Sequence, residues 1–172
     1  MRKSMTIHPK CVTILLVILM LSGCGTINKT EYYDQVESTD LINENLKSVT
    51  IGSSVQEIER EFGEPRTIHQ TKNPEATYYN YGDSNDRVDL EFKVVDNSVE
   101  RYVIYSSRHE SARSIRIGHS IDEVIQAYGD HYYERKDTGM KIIGYYDHIN
   151  HVDIEFGIDD ELVRSIMVSG TR

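Results

Sequence analysis

The sequence predicts an α+β fold of two tandem repeats, each a helix packed on a three- to four-stranded antiparallel sheet. Two alignments within the chain lead to this prediction. Residues 49–63 align with residues 115–129, and residues 88–92 align with residues 152–156. In each copy a helical spacing of apolar residues comes first, and segments with alternating apolar and polar residues follow it.

Each predicted helix begins at a serine that is followed three residues later by a glutamate. Ser54 with Glu57, and Ser120 with Glu123, fit the capping box, in which both side chains bind free N–H groups of the first helical turn. Apolar residues then recur at helical spacing, and a glycine comes at the end of each segment. The pattern therefore predicts one helix of about two to three turns in each repeat.

The segments after each helix are predicted to be strands. These strands cover residues 76–81 and 88–94 in the first repeat, and residues 141–146 and 152–158 in the second. A third strand of each repeat has Tyr102 and Ile104, or Ile166 and Val168, on its apolar face. Their alternation is typical of a sheet with one covered face and one solvated face. We expect the single phenylalanine on the apolar face of each central strand to be buried beneath the helix of its repeat.

The beginning of the chain predicts a signal peptide. Basic residues come first, and residues 11–21 are mostly apolar. A helix of that length would rise about 16 Å, roughly half of the ~30 Å hydrocarbon core of a membrane. Small residues then precede Cys24, and this order resembles the lipobox of bacterial lipoproteins. The resemblance implies a diacylglyceryl lipid on the Cys24 thiol and anchoring at the extracytoplasmic face of the cell membrane; a plain secretory signal or a short membrane anchor is the alternative.

The segment after Cys24 is predicted to be a tether. Residues 25–37 contain few apolar side chains and predict a flexible spacer, whereas the apolar spacing in residues 39–47 predicts a short helix. The predicted organisation is a signal peptide, then a lipidated N-terminus with tether and short helix, then repeat 1 and repeat 2: residues 1–23, 24–47, 48–107 and 108–172.

Charge and cysteine content limit the classes of partner. Three of the 19 basic residues lie in residues 1–23, so residues 24–172 hold 28 acidic and 16 basic side chains and a formal charge of −12. This balance argues against nucleic acid, which requires clustered Lys and Arg. Cys24 is the only cysteine after the signal peptide, so we expect no internal disulfide. The sequence predicts no cofactor.

One short segment offers a candidate metal site. Asp147, His148, His151 and Asp153 lie within seven residues, and imidazole with carboxylate is a common ligand set for zinc. A solvated hairpin loop explains the same residues, and we favour that interpretation, so no metal ligand is assigned. No Gly-x-Ser-x-Gly nucleophile motif and no phosphate-binding loop occurs in the sequence, and we assign no catalytic residue.

Paired carboxylates occur once in each repeat. Asp89 with Glu91, and Asp153 with Glu155, alternate with apolar residues on the central strands. A glycosidase also uses two carboxylates, but we expect these pairs to form a solvated acidic face of the sheet. Such a face could attract a basic partner.

Tyrosine is the most suggestive residue type for binding. All twelve tyrosines follow Cys24, against three phenylalanines in the chain. Tyrosine combines apolar area with a polar tip, which suits recognition surfaces, although half of each adjacent pair could instead belong to the core. We predict a binding surface near the strand edges that includes Tyr79, Tyr81, Tyr145 and Tyr146.

The repeated pattern resembles a known group of modules. Residues 48–169 carry twice a Gly-x-Ser-x-x-Glu helix start, then tyrosines, then an Asp-hydrophobic-Glu-Phe strand. This pattern is similar to the tandem modules of the β-lactamase-inhibitor-protein-like group and to outer-membrane assembly lipoproteins of the SmpA/OmlA type. The resemblance implies a non-enzymatic module on a lipid tether that binds a protein or a cell-wall component. An inhibitor of an extracytoplasmic enzyme is the alternative, and a metal-dependent hydrolase is a further one.

The lipid anchor is tested by replacing Cys24. We expect Cys24→Ala to abolish incorporation of a fatty-acid probe, because the acceptor thiol is gone. Cys11→Ala, which removes the other cysteine of the chain, is the matched control and should keep the label. Label that persists in the Cys24 variant would contradict lipidation at this residue.

Overall fold

The computed structural model describes residues 29–84 and 87–171, which form one eight-stranded antiparallel sheet with three short helices. The predicted signal peptide and Cys24 lie outside these residues. Within the described ranges no helix is both long and apolar enough to cross a membrane. The elements are α1 (Lys29–Tyr33), α2 (Val55–Phe62), β1 (Thr67–Lys72), β2 (Glu75–Tyr81), β3 (Leu90–Val95), β4 (Ser98–Ile104), α3 (Ile121–Tyr128), β5 (Tyr133–Asp137), β6 (Met140–Asp147), β7 (Val152–Asp159) and β8 (Leu162–Gly170).

The predicted fold class is wrong, because the chain does not form two separate units of a helix on a sheet. The strands follow the order β1-β2-β3-β4-β8-β7-β6-β5 in a single sheet, and the molecule is mostly β. Strand β4 pairs with β8 from Arg101 opposite Ser169 to Ile104 opposite Ile166. This pairing satisfies backbone groups that two separate sheets would each leave at an open edge. It also merges two small cores into a larger one.

The predicted helix starts are confirmed. The Ser54 N–H donates to the Glu57 carboxylate over 2.7 Å, and the Ser54 hydroxyl accepts from the Glu57 N–H. The same reciprocal capping box joins Ser120 and Glu123 at the start of α3, where the Ser120 N–H lies 2.8 Å from the carboxylate. Each cap binds N–H groups that the first helical turn cannot satisfy by itself.

The predicted strands are present as β2, β3 and β4 in the first repeat and as β6, β7 and β8 in the second. Their apolar faces form the core beneath α2 and α3. Phe92 on β3 and Phe156 on β7 are fully buried, as predicted. The ring of Phe92 lies 5.4 Å from that of Phe62 on α2, and the ring of Phe156 lies 5.2 Å from that of Tyr128 on α3. Aromatic contacts at these distances add to the free energy gained by burial.

The predictions for the tether are wrong within the described residues. The spacer contains helix α1, which lies on the sheet with Tyr33 buried. Residues 39–47 form turns instead of a helix. The Thr39 N–H donates to the Tyr146 carbonyl at 2.9 Å, and the Leu41 N–H donates to the Asp147 carboxylate at 2.9 Å. These bonds to the sheet replace the bonds that a helix would make within itself.

Candidate functional site

The sheet has a second face, opposite α2 and α3, which we call the open face. Strand register places five residues in one row across this face: Tyr133, Gly144, Glu155, Met167 and Val103. Helix α1 covers one end of the row, at β5 to β7, and leaves the other end uncovered. The two ends therefore differ in what they can bind.

The covered end is an aromatic contact between α1 and the sheet. The ring of Tyr33 stacks on that of Tyr146 with centroids 3.9 Å apart and planes within 8°. The ring of Tyr32 stacks on that of Tyr133 at 5.8 Å. Tyr33, Tyr133 and Tyr146 are all buried by this contact. We use the name "clasp" for these side chains together with the ion pairs beneath them: Lys29, Tyr32, Tyr33, Tyr133, Arg135, Tyr146, Asp153 and Glu155.

Two buried carboxylates lie beneath the rings of the clasp. Asp153 is 0% exposed and Glu155 is 2% exposed. The Lys29 ammonium lies 2.7 Å from Asp153 and 3.3 Å from Glu155. The Arg135 guanidinium donates to both oxygens of Glu155, at 2.8 and 2.7 Å, and the Tyr133 hydroxyl donates to one of them at 2.7 Å. Two cations thus balance two anions, as burial of charge requires.

Gly144 makes the approach of Tyr133 to Glu155 possible. A Cβ at Gly144 would lie 2.2 Å from the Tyr133 ring, so any other residue would push that ring away. A glycine inside a strand is typical of such a close approach.

The prediction of a solvated acidic face is wrong for three of the four paired acids. Asp153 and Glu155 are buried under the clasp, and Asp89 is buried with ion pairs to Arg87 at 3.6 Å and to Arg108. Glu91 is half-buried. The alternation correctly placed Glu91, Asp153 and Glu155 on the face opposite the core. It carried no information about the helix and the arginines that contact these acids.

Within the clasp, the pKa values of the two carboxyl groups are shifted in opposite directions. Burial raises the pKa of Asp153 to about 6, although Lys29 opposes this shift and Glu155 adds to it. Burial acts to raise the pKa of Glu155 as well, but the hydrogen bonds from Arg135 and the charge of Lys29 outweigh it and lower that pKa. The two cations therefore stabilise the ionised form of Glu155.

The uncovered end of the open face holds a shallow cavity of about 300 Å³. Gly157 and Ser165 keep its floor low, because a Cβ at Gly157 would lie 2.4 Å from the Ser165 hydroxyl oxygen and 2.6 Å from the Met140 sulfur. The apolar lining of the cavity, which we call the open stripe, consists of Val103, Tyr105, Met140, Ile142 and Met167.

Arginines flank the open stripe. Arg135 of the clasp lies at one side and also contacts Asp137 at 3.0 Å. Arg101 lies at the other side, 3.4 Å from Glu91. Tyr105 is 45% exposed, whereas Val103 and Ile142 are buried, so the stripe is open to solvent mainly at Tyr105. In the part of the chain that the structure describes, the Arg101 Nε is buried and has no hydrogen-bond partner.

The four tyrosines predicted as binding residues lie in different places. The hydroxyl of Tyr81 donates to the Gly63 carbonyl at 3.1 Å, and that of Tyr145 donates to the Gly129 carbonyl at 2.8 Å, so both buried rings close a helix end. Tyr79 packs half-buried against the core, and Tyr146 belongs to the clasp. Their assignment to a binding surface stays a prediction, and the structure places them where they stabilise the fold.

The residues of the candidate metal site have other partners. The His148 Nε2 lies 3.1 Å from the Val36 carbonyl oxygen, and the His151 Nδ1 lies 3.1 Å from the Tyr146 hydroxyl. Asp147 accepts N–H bonds within its own turn. Among residues 29–84 and 87–171, no three His, Cys, Asp or Glu side chains are grouped so that they could hold a metal ion.

Sequence reasoning missed the clasp. Its helix has five residues, too few for a helical periodicity to show, and its partners are more than 100 residues away along the chain. Two signals were present. Lys29 and Tyr33 are four residues apart, which is one helical face. Gly144 interrupts a predicted strand.

Comparisons with known proteins concern the fold alone. No protein-family model and no curated protein matches the chain. An extracellular protein containing an SCP domain from Bacillus anthracis str. Ames matches 70% of this chain at 11% identity and a TM-score of 0.51. This chain spans 44% of that protein, less than half of its length.

Two further solved structures are similar to the chain. The Escherichia coli protein YfeY matches 73% of this chain and 95% of its own at 14% identity, with a TM-score of 0.47. A protein from Streptococcus mutans, proposed to be a β-lactamase inhibitor, matches 81% of this chain and 94% of its own at 14% identity, with a TM-score of 0.32. No sequence family supports the resemblance to inhibitor-like modules.

The raised pKa of Asp153 predicts a pH-dependent stability. The folded state holds this proton more tightly than the unfolded chain, whose reference pKa is 3.8. The resulting stabilisation is present below the unfolded pKa and is lost as the pH rises through about 6. In the variant Asp153→Asn the side chain at this position does not titrate. The parent should lose stability between pH 5 and 7.5, so the free energy of unfolding of the variant minus that of the parent should rise by about 1–2 kcal/mol over this range.

Urea unfolding at several pH values measures this difference. Asp159→Asn, on the same strand but exposed, is the control and should show a smaller change. A difference between the Asp153 variant and the parent that is flat over this pH range would contradict the prediction.

Proposed function

We propose that the protein is an extracytoplasmic, lipid-anchored module that binds a protein partner through the open stripe and catalyses no reaction. The observation that carries the proposal is the open stripe itself. It combines an exposed tyrosine, half-buried methionines, a cavity of about 300 Å³ and two flanking arginines on a continuous sheet.

The composition of the stripe supports a protein partner. Tyr, Met and Arg are enriched in the cores of protein interfaces, and Met167, Tyr105 and Arg101 lie close together here. The cavity accommodates one apolar side chain of a partner. The Arg101 side chain remains about one third exposed beside Glu91, and a carboxylate or carbonyl oxygen of the partner would accept hydrogen bonds from its accessible N–H groups. Blocking of an extracytoplasmic enzyme would be one form of such binding.

The location rests on the beginning of the sequence. The basic start, the apolar run and Cys24 support export and lipidation, and two acyl chains suffice for stable anchoring. The B. anthracis protein with a similar fold over part of its length is described as extracellular, which agrees with this location.

Site-specific photo-crosslinking tests the proposed surface. We expect a photoreactive amino acid in place of Tyr105 to give a discrete protein adduct in intact cells, because the partner covers this position. The same amino acid in place of Gln126, which is exposed on α3, is the control and should give none.

A charge reversal checks that the adduct depends on recognition. Adding Arg101→Glu should lower the yield at position 105 about tenfold or more, because it removes a charge-assisted hydrogen bond of about 1.5–3 kcal/mol. Thermal unfolding of this variant checks that the fold is kept. Equal adducts at positions 105 and 126, or an adduct unaffected by Arg101→Glu, would overturn the proposal.

A further inference from the structure

The clasp fixes the chain to the sheet very close to the predicted lipid. Lys29 is held by two buried carboxylates, and it follows Cys24 by only five residues. Five residues span at most about 18 Å when fully extended. With the clasp closed, a lipid on Cys24 would therefore hold the sheet within a short distance of the membrane.

An open clasp would allow a far greater distance. The next hydrogen bond of this segment to the rest of the domain joins the Val36 carbonyl oxygen and the His148 Nε2, at 3.1 Å. Val36 follows Cys24 by twelve residues, and that length reaches about 40 Å when extended. Closing the clasp thus removes roughly half of the possible reach.

The position of α1 also selects which side of the molecule is near the membrane. Helix α1 lies on the open face, with Tyr33 against Tyr146 and Lys29 against Asp153. Helices α2 and α3 pack on the opposite face. A short connection that leaves from the open face keeps this face on the membrane side, because turning it away would place the bulk of the domain between the anchor and the bilayer.

We propose that the clasp holds the open stripe toward the bilayer, so that its partner is a membrane protein or a protein bound at the membrane surface. This inference rests on the function proposed above. A soluble partner would gain nothing from this orientation, whereas a partner at the same membrane meets the stripe already facing it.

Charge gives the clasp a further role. Residues 24–172 carry a formal charge of −12, and anionic lipids repel such a domain. A long, free tether would let the domain move away from the surface. The clasp opposes this repulsion through contacts that are largely buried and therefore weakly screened by salt.

Energy transfer in vesicles measures the orientation. The lipidated protein is purified from membranes, with a single cysteine introduced at position 105 on the open face or at position 126 on α3. The vesicles contain anionic lipids and an acceptor-labelled lipid. We expect higher transfer to the acceptor from position 105 than from position 126. Lys29→Ala combined with Tyr33→Ala should lower the transfer from position 105 and abolish the difference between the two positions.

Two controls make each outcome decisive. Glu31→Gln, an exposed change within α1, should leave transfer unchanged, and circular dichroism of the double variant checks that the sheet persists. Vesicle-bound protein with equal transfer from both positions, or with no response to the double variant, would overturn the role of the clasp but leave the anchor intact. Failure of the parent protein to float with vesicles would overturn the anchor, and with it this inference.

Discussion

The arrangement of the open face depends on two carboxylates that are buried away from the main core. Asp153 and Glu155 are tolerated there because Lys29 and Arg135 approach them to within 3 Å. Removing one partner of such a group leaves an uncompensated buried charge, which is strongly destabilising. These ion pairs therefore stabilise the contact between α1 and the sheet. The position of α1 in turn determines which part of the open face stays uncovered.

The continuous sheet gives this arrangement its rigidity. Pairing of β4 with β8 carries the row of side chains from Tyr133 to Val103 across five strands without interruption. Residues of the clasp and of the open stripe lie in that row, and Arg135 belongs to the clasp and also flanks the stripe. A site built on paired strands is more precisely positioned than one built on loops. The same sheet thus supports both the attachment of the N-terminal segment and the proposed binding surface.

The parts of the fold that local sequence determines could be predicted from the sequence. Ser54 and Ser120 specify their helix starts through neighbours three residues away, and strand alternation correctly buried Phe92 and Phe156. The joining of two predicted sheets into one depends on which edges meet in space, and no local pattern encodes this.

The candidate site was less predictable for the same reason. The partner of Lys29 lies 124 residues away along the chain. Asp153 alternates with apolar residues as a solvated acid would, and its burial follows from a helix that the sequence pattern did not show. The tyrosine content predicted a recognition surface, but three of these rings pack against one another within the molecule, at Tyr33, Tyr133 and Tyr146.

The most direct test of this account is a double-mutant cycle between Lys29 and Asp153. The free energy of unfolding is measured for the parent, for Lys29→Ala, for Asp153→Asn and for the double variant, all at neutral pH. A hydrogen-bonded ion pair whose carboxylate is fully buried predicts a coupling energy of about 1.5 kcal/mol or more. A coupling below about 0.5 kcal/mol, as for an exposed ion pair, would contradict the claim that α1 is held on the sheet by these buried charges.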